Sequence, residues 1–412
     1  MNKYLFLLDE LPPTQSANGI CAEKVMGCLA ESEAVYVVSW DEPSKSTPDP
    51  FKRASVPRKP WDRFASAQKA KSGIFNRLFF LMARIIYRLK RMLLLPLWPA
   101  ESVSTVYRFY TAAKRLICSE GITHIVAISY PGETLLAMRM LKRRFGNKVK
   151  TIMYPLDVTL EGMNHGSAAE KRLSRMFGYR VMRACARYAD CVLVLENAER
   201  LYKRVFPETE QKNFKKCGIP LLEAINQAAR LPRKDMHTGE VHFAYGGNLL
   251  YSIRNPTAFL DLLETSNWPA HMTLYFDLYG KADAALRASW QGRYEKLHIV
   301  EHGWVSEMEL NQALMDADVL VNIGNREPQL IPSKLFKYMS TGKPIAHMYI
   351  TRKDPCIPYL HRYGNSFLIN PNETEESMIV EWVLNRKTGA PDITSMFPAC
   401  VPQYTATIIR NT

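Results

Sequence analysis

The sequence predicts an α/β protein with two Rossmann-like, doubly wound parallel sheets. Short apolar runs of about four to six residues recur along the chain and alternate with segments of helical spacing, a pattern typical of βα units whose strands are buried on both faces. This alternation stops at a polar stretch near the middle of the chain and then resumes. The length of 412 residues also exceeds one ordinary hydrophobic core and suits two domains.

The first half of the chain contains five predicted strands. It opens with MNKYLFLLDE, where a short apolar run is followed at once by Asp9 and Glu10, so we expect a first buried strand rather than a signal peptide. The predicted strands are residues 4–8, 34–39, 124–129, 149–154 and 190–195. Helices are predicted from about Ile20, over 103–119, over 130–146, over 168–188, and from the end of the fifth strand to about Phe206.

The second half repeats this alternation. Its predicted strands are residues 241–246, 272–280, 297–303, 318–324 and 344–350. Helices are expected from Pro256, after residue 280, and over SEMELNQALMDA, where Ser306 and Glu309 have the spacing of a capping box. The polar residues 223–240 predict a linker between a first domain, 1–222, and a second domain, 241–395. Residues 396–412 form a C-terminal tail that could return to the first domain. In such sheets ligands bind at the carboxyl ends of the strands, so we expect an active site in an interdomain cleft.

The net charge of +14 is concentrated in one segment of the first domain. Residues 52–91 hold twelve basic residues against one acid, a net +11 of the total. Within this segment Ile74–Leu95 predicts an amphipathic helix. Its basic face carries Arg77, Arg84, Arg88 and Arg91, and its apolar face carries Leu78, Met82, Ile85, Leu89 and Met92. We therefore predict a basic amphipathic insertion over 52–95 that suits an anionic membrane surface. A helix packed on its own domain is the alternative, and the lack of a nucleic-acid-binding motif argues against RNA or DNA.

The eight cysteines are scattered, without a CxxC pair or a Cys/His cluster of zinc spacing. We expect them to be reduced and mostly buried, as in a cytosolic protein. One DxD triplet, Asp316-Ala-Asp318, has the form found in metal-dependent sugar transferases. Because it closes a helix and opens a buried strand, a structural capping role is the prediction, and no metal site is expected.

The stretch IPSKLFKYMSTGKPI, residues 331–345, predicts a loop and a very short helix after a buried strand. Ser333 is a candidate N-cap, and Lys334 and Lys337 lie on one face of the helix. Gly342 suits a left-handed turn that ends the helix. Free amide groups and lysines at the carboxyl end of a strand favour an anion site, and an ordinary capped helix with solvated lysines is the alternative.

The stretch YGGNLLYSIRNP, residues 245–256, has the same layout of strand, loop and helix start. Gly246 and Gly247 allow a ligand to approach the backbone closely, and Arg254 brings a guanidinium group suited to diphosphate oxygens. Neither GxGxxG nor GxxxxGK[ST] occurs in the chain, so a dinucleotide fingerprint and a P-loop are both excluded.

These two stretches and HGWVSEMELNQALMDADVLVNIG (302–324) together resemble the nucleotide-sugar domain of bacterial GT-B glycosyltransferases, family-4-like, of surface, capsular and exopolysaccharide biosynthesis. The likeness in order and spacing covers residues 241–350, and the first half is similar only in layout. The resemblance implies that residues 1–222 bind the acceptor and 241–395 bind the donor. It also implies that the donor diphosphate is held by Gly246, Gly247, Arg254, Ser333 and Lys334. Trp304 and Val305 would flank the base.

The chain departs from this family at two positions. Lys337, which falls at the donor site, stands where the family usually has a Glu that bonds the ribose hydroxyls. Gln329, eight residues earlier, also replaces a frequent Glu. Ribose recognition or the donor-site geometry is therefore expected to differ, and a non-catalytic homologue that still binds sugar nucleotides is an open alternative.

The acceptor side offers three weaker candidates. Gly19 is predicted in the first βα turn, where the backbone could approach a sugar. Asp157 follows a strand, and His165 belongs to the polar loop EGMNHGS, so either could act as a catalytic base or a sugar ligand.

We therefore expect a glycosyltransferase of the hexosyltransferase class that needs no cofactor or metal. It would move a sugar from a nucleoside-diphosphate sugar to a lipid-linked oligosaccharide or a related acceptor. The expected location is cytoplasmic, peripheral on the inner face of the cell membrane. A nucleotide-sugar epimerase of the same architecture is the alternative enzyme.

Overall fold

The structure is a computed structural model of the 412-residue chain. It describes residues 2–11, 16–40, 51–57, 86, 88–156, 167–223, 239–324, 331–386 and 392–412. The chain divides into two compact units. The first unit comprises Met1–Pro220 and Pro402–Thr412, and the second comprises Leu221–Val401. Each unit has its own hydrophobic core around one parallel sheet.

The first unit contains a seven-stranded sheet. Its strands are β1 (Lys3–Leu7), β2 (Ala34–Ser39), β3 (Lys52–Ser55), β4 (His124–Ile128), β5 (Lys150–Tyr154), β6 (Cys191–Leu195) and β7 (Phe214–Cys217). They lie in the order β3-β2-β1-β4-β5-β6-β7, and all pairs are parallel. Every residue of β4 and β6 is buried, as expected where helices cover both faces of a parallel sheet.

The second unit contains a six-stranded sheet. Its strands are β8 (Glu240–Gly246), β9 (Thr273–Tyr279), β10 (Leu297–Glu301), β11 (Val319–Ile323), β12 (Ile345–Met348) and β13 (Ser366–Ile369). Their order is β10-β9-β8-β11-β12-β13, again all parallel. The strand order reverses between β8 and β11, and ligands bind at such switch points in open α/β sheets.

The helices connect these strands. In the first unit they are α1 (Ala17–Ala30), α2 (Val103–Glu120), α3 (Glu133–Phe145), α4 (Ala168–Ala186) and α5 (Glu199–Val205). In the second unit they are α6 (Thr257–Thr265), α7 (Ala284–Trp290), α8 (Glu307–Asp316), α9 (Lys334–Ser340), α10 (Cys356–Tyr363), α11 (Glu376–Leu384) and α12 (Ile393–Met396). The last helix, α13 (Pro402–Arg410), belongs to the first unit. Its Arg410 guanidinium lies 2.9 Å from the Glu33 carboxylate and donates to the Cys28 carbonyl, so both a charge and the buried Ile409 attach it to α1.

The predicted fold class of two Rossmann-like parallel sheets is confirmed. Three strands, β3, β7 and β13, were not predicted. Each lies at an edge of its sheet, and β3 and β7 have the polar sequences KRAS and FKKC, which carry no apolar run. Helix α1 begins at Ala17, earlier than the predicted Ile20, because Ser16 caps it by accepting a hydrogen bond from the Gly19 amide.

The predicted basic helix over Ile74–Leu95 lies mostly outside the described residues. Of its residues, 86 and 88–94 are helical. Leu89, Met92 and Leu93 are 57%, 53% and 81% exposed, so the apolar face of this part is not packed on the unit. The described part of the chain contains no helix whose length and apolar character would let it cross a membrane.

Candidate functional site

The switch point of the second sheet brings together the two stretches that the sequence singled out. Gly246 and Gly247 come at the end of β8, and Lys334 begins the helix that follows β11. Strands β8 and β11 are neighbours and parallel, so their carboxyl ends lie at the same edge of the sheet. The geometry therefore places the glycine turn beside α9.

Gly247 requires the absence of a side chain at this edge. Its φ is +122°, a conformation that residues with a Cβ rarely adopt. A Cβ at this position would also come within 3.1 Å of the Lys334 ammonium nitrogen, Nζ. The Gly247 amide donates to the Tyr279 carbonyl at 2.7 Å, which fixes the turn against the end of β9.

Lys334 is the most unusual cation of the site. Its Nζ lies 3.5 Å from the ring centroid of Tyr245, whose side chain is fully buried. This nitrogen is inaccessible to solvent and has no hydrogen-bond partner among the described residues. Burial, together with repulsion from Arg254, lowers the pKa of the Lys334 ammonium well below its ordinary value of 10.5.

Arg254 approaches the same place from the loop after Gly247. The Arg254 amide donates to the Leu250 carbonyl at 2.9 Å, so the loop folds back on itself. The Tyr245 hydroxyl donates to the Asn248 carbonyl at 3.4 Å, and the Arg254 guanidinium is close enough to influence its ionisation. Burial raises the pKa of Tyr245 to about 12, although the nearby positive charge of Arg254 opposes the rise. Arg254 and Lys334 thus meet on one tyrosine, with two positive groups close enough to repel each other.

Tyr338 attaches α9 to the end of β8. Its hydroxyl accepts a 2.8 Å hydrogen bond from the Gly246 amide, and its side chain is buried. A side chain on Gly246 would lie 3.2 Å from Leu310 of α8, a tight contact. The Tyr338 hydrogen bond therefore attaches the helix that carries Lys334 to the strand end that carries the glycine turn. The sequence analysis did not identify Tyr245 or Tyr338 as site residues. The available signal was their position, since each is next to a predicted site residue in the chain.

The predicted N-cap role of Ser333 is wrong. Its side chain makes no capping hydrogen bond, because its own backbone is already helical, with φ −55° and ψ −30°. A capping residue needs an extended backbone to turn its side chain toward the free amides. At the other end of α9 the prediction is confirmed, since Gly342 has φ +69° and its amide donates to the Met339 carbonyl.

Lys337 lies one turn after Lys334 but in a different environment. Its Nζ forms an ion pair with Glu307 of α8 at 3.4 Å, and both side chains are accessible to solvent. The ammonium that replaces the family's Glu thus already has a carboxylate partner. Gln329 lies outside the described residues.

The segment predicted to flank a base follows β10. Gly303 has φ +74°, Trp304 is 53% exposed, and Val305 is partly buried. Ser306 then starts α8 with the predicted capping box, in which its hydroxyl accepts from the Glu309 amide and Glu309 accepts from the Ser306 amide. An exposed indole held at the start of a capped helix offers a flat apolar face for stacking.

A hydrogen-bonded cluster that the sequence did not reveal lies beside this segment. Asp277 of β9 is bonded to His242 Nδ1 at 2.8 Å and to His302 Nε2 at 2.7 Å. The His302 ring stacks on Tyr279 with centroids 4.3 Å apart. The hydrogen bond with Asp277 is the main reason that the pKa of His242 is raised above 6.5. A carboxylate within the apolar strand LYFDLY was the available signal, since a buried charge needs partners.

The DxD triplet is bonded to protein groups. Asp318 accepts from the His242 amide at 2.9 Å and pairs with Arg386 at 2.7 Å. Asp316 accepts from Gln312 one turn earlier in α8. Both aspartates therefore have the structural positions that the sequence favoured.

On the acceptor side, only Gly19 lies among the described residues, since Asp157 and His165 are outside them. Gly19 is in the first turn of α1 and not in a preceding loop as predicted. A Cβ on Gly19 would lie 2.1 Å from the Glu10 carbonyl oxygen, so close packing of backbone explains the glycine. Nearby, burial raises the pKa of Asp9 to about 6, although a hydrogen bond from Ser16 opposes the rise.

None of the eight cysteines, all of which lie among the described residues, forms a disulfide. Six of them are buried, whereas Cys28 is partly exposed and Cys118 is exposed.

No protein-family model matches the chain. No curated protein matches it in sequence either.

Solved structures match the whole chain at low sequence identity. An α,α-trehalose-phosphate synthase (UDP-forming) from Burkholderia xenovorans has a TM-score of 0.59 and 11% identity, over 100% of this chain and 98% of its own. The lipopolysaccharide outer core galactosyltransferase WaaB has a TM-score of 0.56 and 13% identity, over 100% and 98%. TarM has a TM-score of 0.54 and 10% identity, over 100% and 96%.

Identities this low are informative about the fold alone. The two parallel sheets, their strand orders and the full-length likeness agree with one architecture. The chain therefore has the two-unit, Rossmann-like fold of the GT-B glycosyltransferases.

Proposed function

We propose that this protein is a glycosyltransferase that takes a sugar from a nucleoside-diphosphate sugar and transfers it to a saccharide acceptor. The observation that carries the proposal is the pair of cations at the end of β8. Lys334 Nζ is buried without a hydrogen-bond partner among the described residues, beside Arg254 and against a glycine turn. Two mutually repelling cations at a topological switch point favour binding of a compact anion such as a diphosphate.

In this proposal the cations stabilise the leaving group. Cleavage of the donor's glycosidic bond leaves the bonding electron pair on the diphosphate, whose negative charge increases in the transition state. Arg254 and Lys334 are already in place and largely out of water, so they offset that charge without reorganisation. A metal ion would then not be required for this step.

The second unit also offers a surface for the base. The exposed Trp304, with Val305 next to it, is proposed to contact the base of the donor. Lys337, with its Glu307 partner, and Gln329 would replace the family's two carboxylates near the ribose. The first unit is proposed to bind the acceptor, with Gly19 near the sugar and Asp157 or His165 as the base that accepts the acceptor's hydroxyl proton.

We further propose that the acceptor is lipid-linked, in surface polysaccharide synthesis, and that the enzyme docks on the inner face of the cell membrane. The support is the exposure of Leu89, Met92 and Leu93 on a helical stretch that also carries Lys90 and Arg91. Apolar side chains that insert into the interface, next to cations that attract anionic headgroups, are typical of peripheral membrane helices.

Titration calorimetry with nucleoside diphosphates tests the donor site. A panel of nucleotide sugars screened by thermal shift first selects the base. A charge-assisted hydrogen bond contributes about 1.5–3 kcal/mol, so Arg254→Ala and Lys334→Met should each weaken binding by about tenfold or more. Lys353→Ala, which removes an exposed lysine of the same unit, serves as the control and should leave the affinity unchanged. Unchanged affinity in both site variants would refute the proposed donor site.

Lys334→Met also distinguishes a binding role from a structural one. The methionine keeps an apolar stem on Tyr245 and removes a buried amine that has no hydrogen bond among the described residues. Such a group costs about 1–3 kcal/mol when it is buried. The free energy of unfolding of the ligand-free protein should therefore rise while diphosphate affinity falls. A loss of both would indicate that Lys334 only supports the fold.

Turnover assays separate the enzyme from its alternatives. Release of nucleoside diphosphate that depends on a saccharide acceptor, with a new glycoside as product, is the expected result. An interconverted sugar nucleotide without acceptor would indicate an epimerase. Binding without any turnover across the donor panel and a set of lipid-linked acceptors would indicate a non-catalytic homologue.

A further inference from the structure

A second cluster of buried polar groups lies on the other side of the same sheet edge. Asn322 is on β11, His347 is on β12, and Asp354 and Cys356 are at the start of α10. All four residues are at most 2% exposed. The ligand atoms that His347, Asp354 and Cys356 can offer lie within 4.8 Å of one another.

Hydrogen bonds within the protein leave several atoms of this cluster unused. Among the described residues, His347 Nε2, Asp354 Oδ2 and Asn322 Oδ1 are inaccessible to solvent and have no hydrogen-bond partner. Buried polar atoms are almost always paired, since each one left unpaired costs free energy. Two of the three atoms, His347 Nε2 and Asp354 Oδ2, face each other, so the distance between them decides whether they pair directly or hold a further group.

The distance between the imidazole and the carboxylate defines that group. His347 Nε2 lies 3.5 Å from Asp354 Oδ2. This separation is too long for a good hydrogen bond, for which about 2.7–3.2 Å is usual. It does match the distance of about 3.4 Å between two ligand atoms that are each bound at about 2.1 Å to a tetrahedral zinc ion.

The other face of the imidazole has the arrangement found in metal-binding histidines. His347 Nδ1 lies 3.2 Å from the Asn322 main-chain carbonyl, and the Asn322 side-chain amide lies 2.9 Å from the same nitrogen. Binding of a metal ion through Nε2 requires the hydrogen on Nδ1, where it is donated to the carbonyl, and the Asn322 side chain must then present its oxygen instead of its NH2 group to Nδ1. Such outer contacts orient the ring and fix its tautomer in metal sites.

We propose that His347 Nε2, Asp354 Oδ2 and Cys356 Sγ bind one zinc ion. Nitrogen and sulfur ligands favour zinc over magnesium or calcium, which take oxygen ligands. Asn322 is a positioning residue that contacts His347. Gly324 gives the carboxylate room, because a Cβ there would lie 2.2 Å from Asp354 Oδ2. The ion would join β12 to the start of α10, and the site is separate from the chemistry proposed for Arg254 and Lys334.

Burial argues against a nucleophilic role for the same cysteine. Cys356, His347 and Asn322 are residue types that also form nucleophilic triads. A nucleophile must reach its substrate, and Cys356 is fully buried. Ligation of a buried ion has no such requirement.

Cobalt titration of the full-length, chelator-treated protein tests the site. Bound Co²⁺ reports a thiolate ligand by a near-ultraviolet sulfur-to-cobalt charge-transfer band, and zinc should displace it. We expect saturation at one equivalent, loss of the band in Cys356→Ser, and at least tenfold weaker binding in His347→Ala. Asn322→Ala should weaken binding by about 10–100-fold, the usual effect of losing an outer contact. Elemental analysis of untreated protein should find one zinc per chain.

Cys185→Ser is the matched control, because Cys185 is equally buried but lies in the first unit. It should retain the band and the stoichiometry. The proposal is overturned if the wild-type chain shows no charge-transfer band at saturating cobalt, if the band survives Cys356→Ser, or if Cys185→Ser removes it equally. Should His347→Ala not fold, the wild-type and the two cysteine variants still decide the outcome.

Discussion

Lys334 shows how a single residue can be tuned for anion binding by its surroundings. A solvated lysine would gain little from one phosphate, because water already stabilises its charge. Here the Tyr245 ring lies against the ammonium group, and Gly247 leaves space beside it. Burial and the nearby Arg254 lower the Lys334 pKa, so the charged form is costly until an anion arrives. The same features that make the free site unfavourable therefore strengthen binding of a diphosphate.

This arrangement predicts a specific pH dependence of binding. The pKa of Lys334 is lowered in the free protein, and a bound diphosphate would raise it. Affinity should therefore be highest below the free-state pKa and should fall as the pH rises from that pKa toward the bound-state pKa. Calorimetry across pH values above neutrality, where the diphosphate stays fully ionised, measures the slope. The contribution should disappear in Lys334→Met, and an identical slope in both proteins would contradict the prediction.

One carboxylate, that of Asp277, links the neighbouring strands β8, β9 and β10. Asp277 on β9 is bonded to His242 on β8 and to His302 just after β10. Burial would raise the pKa of Asp277, but the two histidines outweigh it, and the pKa is lowered from 3.8. The cluster thus holds the end of β10, which leads into Trp304, against the rest of the sheet.

Asp277→Asn should destabilise the protein most in mildly acidic solution. His242 has a raised pKa, so its contribution is present below pH 6.5 and is lost as the pH rises through the folded-state value. Asp277 has a lowered pKa, so its contribution is present above pH 3.8 and is lost as the pH falls through the folded-state value. The stability difference should therefore be largest between about pH 4 and pH 6.5, on the order of 1–3 kcal/mol. Denaturant unfolding at a series of pH values provides the measurement.

NMR titration of His242 gives the companion measurement for this cluster. In Asp277→Asn its pKa should move down toward 6.5, because the principal cause of its rise is removed. Glu240→Gln is the control, since Glu240 lies farther from His242, at 3.6 Å, and should cause a smaller shift. An equal shift in both variants would argue against Asp277 as the main partner.

For the whole molecule, the charge distribution matters more than its total. The basic segment 52–91 accounts for +11 of the +14, so the rest of the chain is nearly neutral. Concentrated charge of this kind attracts an anionic surface over a limited area. In the described part of the segment, Arg88 is already paired with Glu170 at 3.3 Å, whereas Leu89, Met92 and Leu93 are exposed.

The proposed docking surface predicts strong binding to anionic vesicles, weak binding to neutral vesicles, and loss of binding in high salt. Each basic residue near such a surface contributes about 1 kcal/mol, so four give roughly 4 kcal/mol, or about a thousandfold in partitioning. Vesicle sedimentation is the measurement. Binding should be abolished by replacing four basic residues with Glu, namely Arg77, Arg84, Lys90 and Arg91. Replacing Leu89, Met92 and Leu93 by Gln should also weaken it, because the apolar insertion is removed.

A matched reversal elsewhere in the first unit controls for net charge. The four exposed basic residues to replace are Arg143, Arg144, Lys148 and Lys150. This variant has the same total charge as the first one and should still pellet with anionic vesicles. If both reversals reduce pelleting equally, attraction is not specific to the basic segment, and if no protein pellets at all, docking is refuted.

Local patterns in the chain were sufficient to predict most of its elements. The buried strands of both sheets are apolar runs, and a run of this kind is stable only when helices cover both faces. Capping residues such as Ser306 act on their nearest neighbours in the chain, so their roles could be deduced from spacing alone. The edge strands β3 and β7 could not be predicted, because their polar residues acquire strand geometry from pairing with a neighbour.

Only part of the candidate site could be predicted from local patterns in the sequence. The sequence singles out Gly247, Arg254 and Lys334, because each is a glycine or a cation that follows a predicted apolar strand. The Tyr245 ring that receives Lys334, and the ion pair that occupies Lys337, depend on contacts between distant parts of the chain. Ser333 was assigned wrongly since its residue type suggests a cap but its backbone angles, set by the packing of α9, do not allow one.

The amino-acid order thus determined the alternation of strands and helices and their division into two sheets. It also determined which strands are followed by glycines and cations. Those properties depend on residues that are close together in the chain, and the periodicity of the apolar residues reveals them. Strand order decided the rest. By placing β11 between β8 and β12, the fold brought Lys334 to the β8 turn on one side. On the other side it gathered Asn322, His347 and Cys356 into one buried cluster, although no zinc spacing occurs in the sequence. Contacts of this kind arise from pairing between segments far apart in the chain, so no local pattern specifies them.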